Sequence, residues 1–233
     1  MPRAVLFDLN GVLVDDEPLH LRLLLRVLVE EGIVVPEAWA AEAFLGVDDR
    51  ACLAAAGTQA GRPVPPERIP RLIARKAAYY REAIVASGYP VVAGAAEALR
   101  ALDAAGLVLG VVSGALRREV EGALDVAGVR PLLRVLVCAE DVARGKPDPE
   151  GYLLAITALA REPALAGRLI HPHEIVAVED SPAGLAAAAA AGLRTLLVTQ
   201  GDRSPGSSDA TIESVAELTR ARLGALFGES PLR

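Results

Sequence analysis

The sequence is poor in aromatic residues and in cysteines, and each shortage excludes a class of protein. Aromatic side chains make up 3% of the 233 residues and hydrophobic residues 52%, so a buried core must consist mainly of aliphatic side chains. The two cysteines, Cys52 and Cys138, are too few for a disulfide framework and are not spaced like zinc ligands. Because a chain of this kind suits a reducing compartment, we expect a cytoplasmic protein.

Long apolar runs, blocks of basic charge and lysines are also scarce. No run approaches the roughly 18 apolar residues of a membrane span, so we expect no membrane partner. The net charge is -6 without a basic block, which argues against nucleic acid as a partner. Among the 24 basic residues only Lys76 and Lys146 are lysines. Any chemistry that needs a lysine therefore has two candidates.

Short apolar runs bounded by glycine, proline or acidic residues predict the strands of a sheet. Continuous apolarity over so few residues is typical of strands that are buried on both faces, as in a parallel sheet. The predicted strands are Ala4–Phe7, Leu107–Val112, Val135–Cys138, Ile175–Val178 and Thr195–Val198. The predicted helices between them are Ala95–Ala105, Arg117–Val126, Pro149–Arg161 and Pro182–Ala191. This alternation predicts an α/β fold with a Rossmann-like, doubly wound parallel sheet.

The segment after the first strand has a different pattern. It contains no good strand, and its helical stretches are Leu19–Glu31, Glu37–Phe44, Asp48–Gln59 and Glu67–Ala86. We therefore predict an α-helical cap domain over residues 17–90, inserted into an α/β core formed by residues 1–16 and 91–233. Near the C-terminus, a polar loop over Arg203–Asp209 is expected to precede a last helix over Ile212–Phe227.

Acidic residues follow the first and fourth predicted strands. Asp8 comes directly after the first strand and is followed by Asn10 in a tight turn, while Glu179 and Asp180 follow the fourth. Open α/β sheets bind ligands at the carboxyl ends of their strands, and paired acids there suit a hard cation such as Mg²⁺. The plainer interpretations are a polar strand exit at Asp8 and a helix cap at Asp180.

A hydroxyl and a lysine follow two other strands. Ser113 and Gly114 follow the second strand, where a hydroxyl and free backbone N–H groups can hold a phosphate oxygen. Lys146 lies beside two prolines, so its backbone is constrained and its ammonium can neutralise an anion. Taken singly, Ser113 is equally explained as a helix cap and Lys146 as a solvated surface residue.

The order and spacing of these four clusters carry more information than any one of them. Together they resemble the haloacid dehalogenase-like hydrolases, in the branch with a helical cap that includes phosphoglycolate phosphatase-type and β-phosphoglucomutase-like enzymes. Nearly the whole chain takes part in the resemblance. Further segments that carry it are Asp15–His20, Leu45–Val47, Tyr89–Gly94 and Lys146–Pro149, the last followed by Tyr152. Within the first of these, Asp15 and Asp16 are expected to serve the hinge between cap and core.

The resemblance implies a metal-dependent phosphatase. Asp8 corresponds to the nucleophile, which attacks phosphorus and forms an aspartyl-phosphate. Asp8, the backbone carbonyl of Asn10 and Asp180 would hold Mg²⁺, with Glu179 acting directly or through water. The expected substrate is a small phosphorylated metabolite, and the expected state is a monomer or weak homodimer.

Other residues are assigned to the substrate by the same resemblance. Ser113, Gly114 and Lys146 would hold the phosphoryl oxygens, and His20 lies where mutase-like members keep a histidine near the site. Arg50 corresponds roughly to a cap arginine that reaches substrate phosphate, although a solvated helix residue explains it equally well. Lys76 falls within a predicted cap helix, and we expect it to take no part in the chemistry.

The sequence departs from the family pattern at Asn10, where the phosphatases and mutases have an aspartate. That aspartate protonates the leaving oxygen and then activates the acceptor, whereas an asparagine has no acidic proton and cannot act as a base. General acid–base groups contribute about 10²–10⁴-fold. A slow phosphatase is therefore expected, in which Asn10→Asp raises turnover at least about tenfold.

Two alternatives remain open on the sequence alone. The first is a non-catalytic protein that keeps the fold to bind a phosphorylated ligand or a partner. The second is another chemistry of the same family. A dehalogenase is less favoured because the acid pair Glu179 and Asp180 argues for a metal, and a phosphonatase because Lys76 is not at the phosphonatase position. A phosphomutase is also less favoured than a phosphatase, although the sequence does not decide between the two.

Overall fold

One parallel sheet organises the larger part of the chain. The computed structural model describes residues 1–165, 169–199 and 207–228. Within them the strands are β1 (Ala4–Phe7), β2 (Val108–Val112), β3 (Leu133–Val137), β4 (Ile175–Glu179), β5 (Arg194–Val198) and β6 (Ala210–Ile212). Their order is β3-β2-β1-β4-β5-β6, and every neighbouring pair is parallel. The predicted Rossmann-like fold is confirmed.

Helices cover both faces of this sheet. They are α5 (Ala95–Ala104), α6 (Arg117–Val126), α7 (Glu150–Leu159), α8 (Pro182–Ala190) and α9 (Arg220–Phe227). Successive side chains of a strand point to opposite faces, so β1 divides its four buried residues between two cores. Val5 and Phe7 pack with residues of α5, α6 and α9, whereas Ala4 and Leu6 pack with residues of α7 and α8. This double burial explains why the strands lack polar alternation.

A group of helices lies between β1 and β2 in the chain. They are α1 (Glu17–Glu30), α2 (Glu37–Ala43), α3 (Asp49–Gln59) and α4 (Ile69–Ser87), and they enclose their own hydrophobic core. The chain leaves and re-enters the sheet domain at adjacent points, since Asp15 N–H donates to the Pro90 carbonyl and Val92 N–H to the Leu13 carbonyl, both at 2.9 Å. Among the described helices, none is both long and apolar enough to cross a bilayer.

The prediction for the C-terminal region is wrong in part. Ile212 ends strand β6 and does not begin a helix, and a 3₁₀ turn over Val215–Glu217 separates it from α9. Helix α9 begins only after Thr219, whose side chain accepts a hydrogen bond from Arg222 N–H. The three-residue strand adds an edge to the sheet beside β5, and so short a run leaves no periodicity to detect. The polar loop expected at residues 203–209 lies largely outside the described residues.

Candidate active site

Three carboxylates meet at the carboxyl ends of two central strands. Asp8 follows β1, while Glu179 ends β4 and Asp180 follows it. These neighbouring strands bring oxygens of all three side chains within 4.8 Å of one another, and each residue is 5% exposed or less. Buried carboxylates repel each other unless a cation compensates them. The cluster therefore needs positive charge.

Lys146 supplies part of that charge. Its Nζ lies 2.8 Å from Asp8 Oδ1 and 2.7 Å from Glu179 Oε1. Burial by itself would lower the pKa of Lys146, but the two carboxylates raise it above its usual value, so the ammonium stays charged. Tyr152 OH also donates to Glu179 Oε1.

The second carboxylate oxygen of Glu179, Oε2, is not engaged by Lys146 or Tyr152. Glu179 is fully buried, and its Oε2 accepts no hydrogen bond from the described residues. Burial raises the pKa of this carboxyl above its usual value, although Lys146 faces it. Carboxylate and carbonyl oxygens are the ligands that Mg²⁺ prefers. A buried acid group with one unengaged oxygen thus fits a divalent cation held with Asp8 and Asp180.

Ser113 and Gly114 form the neighbouring wall of the site after β2. Ser113 is 6% exposed, and its Oγ accepts from Ala115 N–H at 3.1 Å while approaching Asn10 Oδ1 at 3.5 Å. Gly114 lines the pocket above Asp8. The hydroxyl and the turn that leads into α6 therefore face the same space as the carboxylates.

The cap helices close over these strand ends. Gly46, in the loop between α2 and α3, has φ +70°, and a Cβ there would collide with the Ser181 hydroxyl of the core. A Cβ at Gly145 would likewise collide with the carboxylate of Asp48 in the same cap loop. The two domains therefore touch on both sides of the site, and small residues allow the contact.

A pocket of about 300 Å³ remains between cap and core. Its floor includes Asp8 and Lys146, and its cap side contains both polar and apolar groups. The apolar cap residues are Pro18, Leu21, Leu24, Ala41, Phe44, Leu45 and Val47. The polar groups on that side are Glu17, His20, Asp49 and Lys76. A pocket of this size admits a small organic molecule and excludes most bulk water.

A buried carboxylate at the hinge organises the polar side of the pocket. Asp16 is 1% exposed and accepts hydrogen bonds from Asn10 Nδ2 at 2.7 Å and Tyr80 OH at 2.5 Å, with His20 Nε2 at 3.2 Å. Burial by itself would raise the pKa of Asp16, but these contacts lower it below its usual value. Asp16 is therefore an ionised group that joins the Asn10 loop to α1 and α4.

Lys76 continues this network from α4. Its Nζ contacts His20 Nδ1 and lies 2.9 Å from Asp49 Oδ2. Lys76 is 2% exposed, and although burial would lower its pKa, the charge of Asp49 helps to raise it. An ammonium only donates hydrogen bonds, so His20 Nδ1 accepts and the ring proton lies on Nε2, toward Asp16.

Comparison with known proteins identifies the family to which this chain belongs. The family model for haloacid dehalogenase-like hydrolases matches residues 2–192. The chain belongs to this hydrolase family. It is 32% identical over 227 residues to validoxylamine A 7'-phosphate phosphatase of Streptomyces hygroscopicus subsp. limoneus, covering 96% of this chain and 99% of that one.

Two solved structures of the family extend the comparison. β-Phosphoglucomutase from Clostridium difficile superposes with a TM-score of 0.83 at 19% identity, covering 97% of each chain, which shows the shared fold. An Asp-to-Asn variant of CbbY from Rhodobacter sphaeroides, solved in complex with xylulose-(1,5)bisphosphate, superposes with a TM-score of 0.74 at 27% identity. That match covers 94% of this chain and 96% of CbbY.

The structure of this hydrolase gathers most of the predicted site residues. Asp8, Asn10, His20, Gly114 and Lys146 line one pocket, with Ser113, Glu179 and Asp180 beside or beneath it. Arg50 is not among the lining residues, and its Nη1 donates to the Ala143 carbonyl at 3.1 Å, in the segment between β3 and α7. Of the predicted set, Arg50 alone is directed elsewhere.

The sequence analysis missed two residues of the site. Lys76 was expected to take no part, yet its ammonium lines the pocket. Asp16 was expected, together with Asp15, to serve the hinge between cap and core, but its contact with the amide of Asn10 was not predicted. The scarcity of lysine was the available signal for Lys76, since both lysines of the chain reach this pocket. Nothing in the local pattern marks Asp16 apart from Asp15.

Proposed function

We propose that this hydrolase is a Mg²⁺-dependent phosphatase of a small phosphorylated metabolite, acting through an aspartyl-phosphate on Asp8. The observation that supports it best is the position of Asp8 on the floor of the pocket between cap and core, paired with Lys146 at 2.8 Å beside two further acids. Phosphoryl transfer depends mainly on positioning and on neutralising charge, and both are provided at this point.

Asp8 is the nucleophile in this mechanism. Its carboxylate attacks phosphorus, forming a bond between Asp8 and phosphorus while the bond to the leaving oxygen breaks. Water then attacks phosphorus, which releases inorganic phosphate and regenerates the Asp8 carboxylate. Lys146 and the hydroxyl of Ser113 hold the phosphoryl oxygens. When bound by Asp8, Asp180 and the Asn10 carbonyl, Mg²⁺ supplies further charge neutralisation.

Asn10 limits the rate of this reaction. Its Nδ2 donates to Asp16 at 2.7 Å, which turns Oδ1 toward Ser113 and the phosphoryl site. An amide carbonyl neither protonates the leaving oxygen nor accepts a proton from water at neutral pH. We therefore infer slow turnover, with a preference for substrates whose leaving group departs without a proton.

His20 lines the pocket, and both of its ring nitrogens contact other side chains. Nδ1 contacts Lys76 Nζ, and Nε2 lies 3.2 Å from Asp16 Oδ2. We therefore infer that His20 connects Lys76 to Asp16 and does not take over the role of the acid that relatives have at position 10.

The charges of the pocket favour a monophosphate. Lys146 is paired with the carboxylates beneath it, Lys76 is paired with Asp49, and Arg50 is bonded to the Ala143 carbonyl. The described residues that line the pocket therefore offer no uncommitted cation for a second phosphate group. This argues for a phosphatase and against a mutase that would hold a bisphosphate.

A non-catalytic binding protein is the second candidate, and the amide at position 10 is the observation that favours it. The CbbY variant shows that a family member with an Asp-to-Asn exchange was obtained in complex with a bisphosphate. Here the intact set of Asp8, Lys146, Glu179 and Asp180 favours turnover. Binding without hydrolysis would raise the melting temperature while releasing no phosphate.

The experiment measures phosphate release from p-nitrophenyl phosphate and a panel of sugar and polyol monophosphates, with Mg²⁺ and with EDTA. We expect Mg²⁺-dependent activity that is highest on p-nitrophenyl phosphate, and Asp8→Asn should reduce it to the level of buffer alone. Peptide mass spectrometry must show that Asn10 retains its amide, because deamidation at Asn-Gly would create an aspartate. Activity in Asp8→Asn would remove the proposed mechanism.

A further inference from the structure

The contact between Asn10 and Asp16 has a consequence for the charge that position 10 can carry. Asp16 is buried at the hinge and its carboxylate already accepts hydrogen bonds from Asn10 Nδ2 and Tyr80 OH. The distance from Asn10 Nδ2 to Asp16 Oδ1 is 2.7 Å. A hydrogen bond of this length to an ionised acceptor requires a donor on the facing atom.

The Asp16 carboxylate determines which way the amide of Asn10 faces. With NH₂ toward Asp16, the bond is a charge-assisted hydrogen bond, whereas the reverse orientation would place two oxygens in contact. Oδ1 is consequently directed toward Ser113 Oγ, 3.5 Å away. The orientation follows from a charge six residues away in the chain and not from Asn10 itself.

The same contact is unfavourable for a carboxylate at position 10. Two ionised carboxylates facing each other at about this distance in a buried site destabilise the folded state. The group beside both positions is His20, whose Nε2 lies 3.2 Å from Asp16 Oδ2 and 3.3 Å from Asn10 Nδ2, so one ring nitrogen would have to serve two carboxylates. Lys76 contacts His20 and Asp49, and no contact joins it to Asn10 among the described residues. The hinge therefore accommodates one negative charge where position 10 meets position 16.

We propose that Asp16 is a positioning residue that orients the amide of Asn10, and that positions 10 and 16 are coupled so that only one of them can carry a carboxylate. Its effect on turnover rests on the proposed phosphatase function, whereas its effect on stability does not. The expectation that Asn10→Asp alone raises turnover at least tenfold then fails, because the new carboxylate meets Asp16.

Asp16 also connects the orientation of Asn10 to the cap. Tyr80 belongs to α4 and His20 to α1, and both contact the same Asp16 oxygen, at 2.5 and 3.2 Å. Loss of the Asp16 carboxylate therefore releases the Asn10 amide and also two cap contacts. A neutral, small side chain at position 16 leaves room for a carboxylate at position 10 to accept hydrogen bonds itself.

The test is a double-mutant cycle with Asn10→Asp, Asp16→Ser and the double variant, followed by melting temperature and by steady-state kinetics on p-nitrophenyl phosphate. We expect Asn10→Asp to lower the melting temperature in the wild-type background and to lower it less, or raise it, in the Asp16→Ser background. The double variant should exceed Asn10→Asp at least about tenfold in kcat, with KM within about twofold. A change confined to packing would not produce this split.

Two further variants serve as a control and as a replacement for a variant that does not fold. Asp15→Ser removes the neighbouring exposed acid, so it should leave the effect of Asn10→Asp on melting temperature as it is in the wild type. If Asp16→Ser does not fold, Asp16→Asn removes the charge with nearly the same shape and replaces it in the cycle. Equal effects of Asn10→Asp in both backgrounds would overturn the proposal. If no variant releases phosphate, the melting temperatures still decide the coupling, and only the proposed function fails.

Discussion

The core side and the cap side of the pocket are built from charged groups in different ways. In the core, Asp8, Lys146 and Glu179 pair directly across three strand-end loops, at 2.7 and 2.8 Å. On the cap side, Lys76 of α4 contacts His20 of α1 and Asp49 of α3, and His20 in turn contacts Asp16 at the hinge. The core contacts join strand-end loops of the sheet, whereas the contacts of Lys76 join helices of the cap, and Asp16 connects this group to the Asn10 loop.

This difference between core and cap indicates which charged groups are fixed by the sheet and which move with the cap. Strand ends hold the core charges in register before any ligand enters, because six neighbouring strands form one parallel sheet with β1 and β4 at its centre. Lys76, His20 and Asp49 all lie on cap helices, so they keep their mutual contacts and move as a group relative to the core charges when the cap opens. Substitutions in the core should therefore act on stability and kcat, and substitutions in the cap on KM.

Replacing Lys146 by methionine should have the largest effect. It leaves the buried carboxylates of Asp8 and Glu179 without their shared cation, a loss of about 3–5 kcal/mol in the free energy of unfolding for a broken buried pair. Mg²⁺ should raise the melting temperature of Lys146→Met more than that of the wild type, since it supplies the missing charge. Thermal melts with and without Mg²⁺ measure this, and an equal shift in both proteins would contradict it.

Lys76→Met makes the same replacement on the cap side of the pocket that Lys146→Met makes on the core side. It leaves Asp49 unpaired and frees His20 Nδ1, so binding should weaken, with KM for p-nitrophenyl phosphate rising about tenfold and kcat changing less. Lys76→Arg keeps the charge but not the shape, and should recover part of the loss. A fall in kcat as large as that of Lys146→Met would show that the two sides do not differ.

Gly46→Ala tests whether the cap must close onto the core for binding. The Cβ would collide with the Ser181 hydroxyl and would also occupy a backbone with φ +70°. Gly61→Ala is a matched control, because Gly61 has φ +66° and no described atom lies within 4 Å of a Cβ there. Both variants should lose about 1 kcal/mol of stability through backbone strain. Only Gly46→Ala should raise KM, by several-fold, and equal kinetics for the two would contradict a closed state at this contact.

Arg50→Ala should have the smallest effect. Its guanidinium donates one exposed hydrogen bond to the Ala143 carbonyl and does not line the pocket. An exposed hydrogen bond contributes about 0.5–1.5 kcal/mol at most, so kcat/KM should change by no more than a few-fold. A large rise in KM would instead restore the role in phosphate binding that the family resemblance implied for Arg50.

The strands and the core half of the site could be predicted because their signals are local. Each of β1 to β5 is a short apolar run, and each important side chain comes directly after one, as Asp8 does after β1 and Glu179 at the end of β4. Strand β6 escaped prediction since its three residues add only an edge to the sheet. The position of Lys76 in the pocket was not predicted because 56 positions separate it from His20, and only the packing of α4 against α1 brings the two together.

The doubly wound sheet, the family and the residues at the strand ends could be inferred from the amino-acid sequence, because buried runs and the motifs that follow them are encoded within a few neighbouring positions. The amide at position 10 is likewise a property of the sequence. The folded chain was needed to show that Asp16 faces that amide, that both lysines line one pocket, and that Arg50 binds the Ala143 carbonyl instead of lining it. These are long-range contacts between charged groups, and no local pattern records which charges the folded chain places side by side.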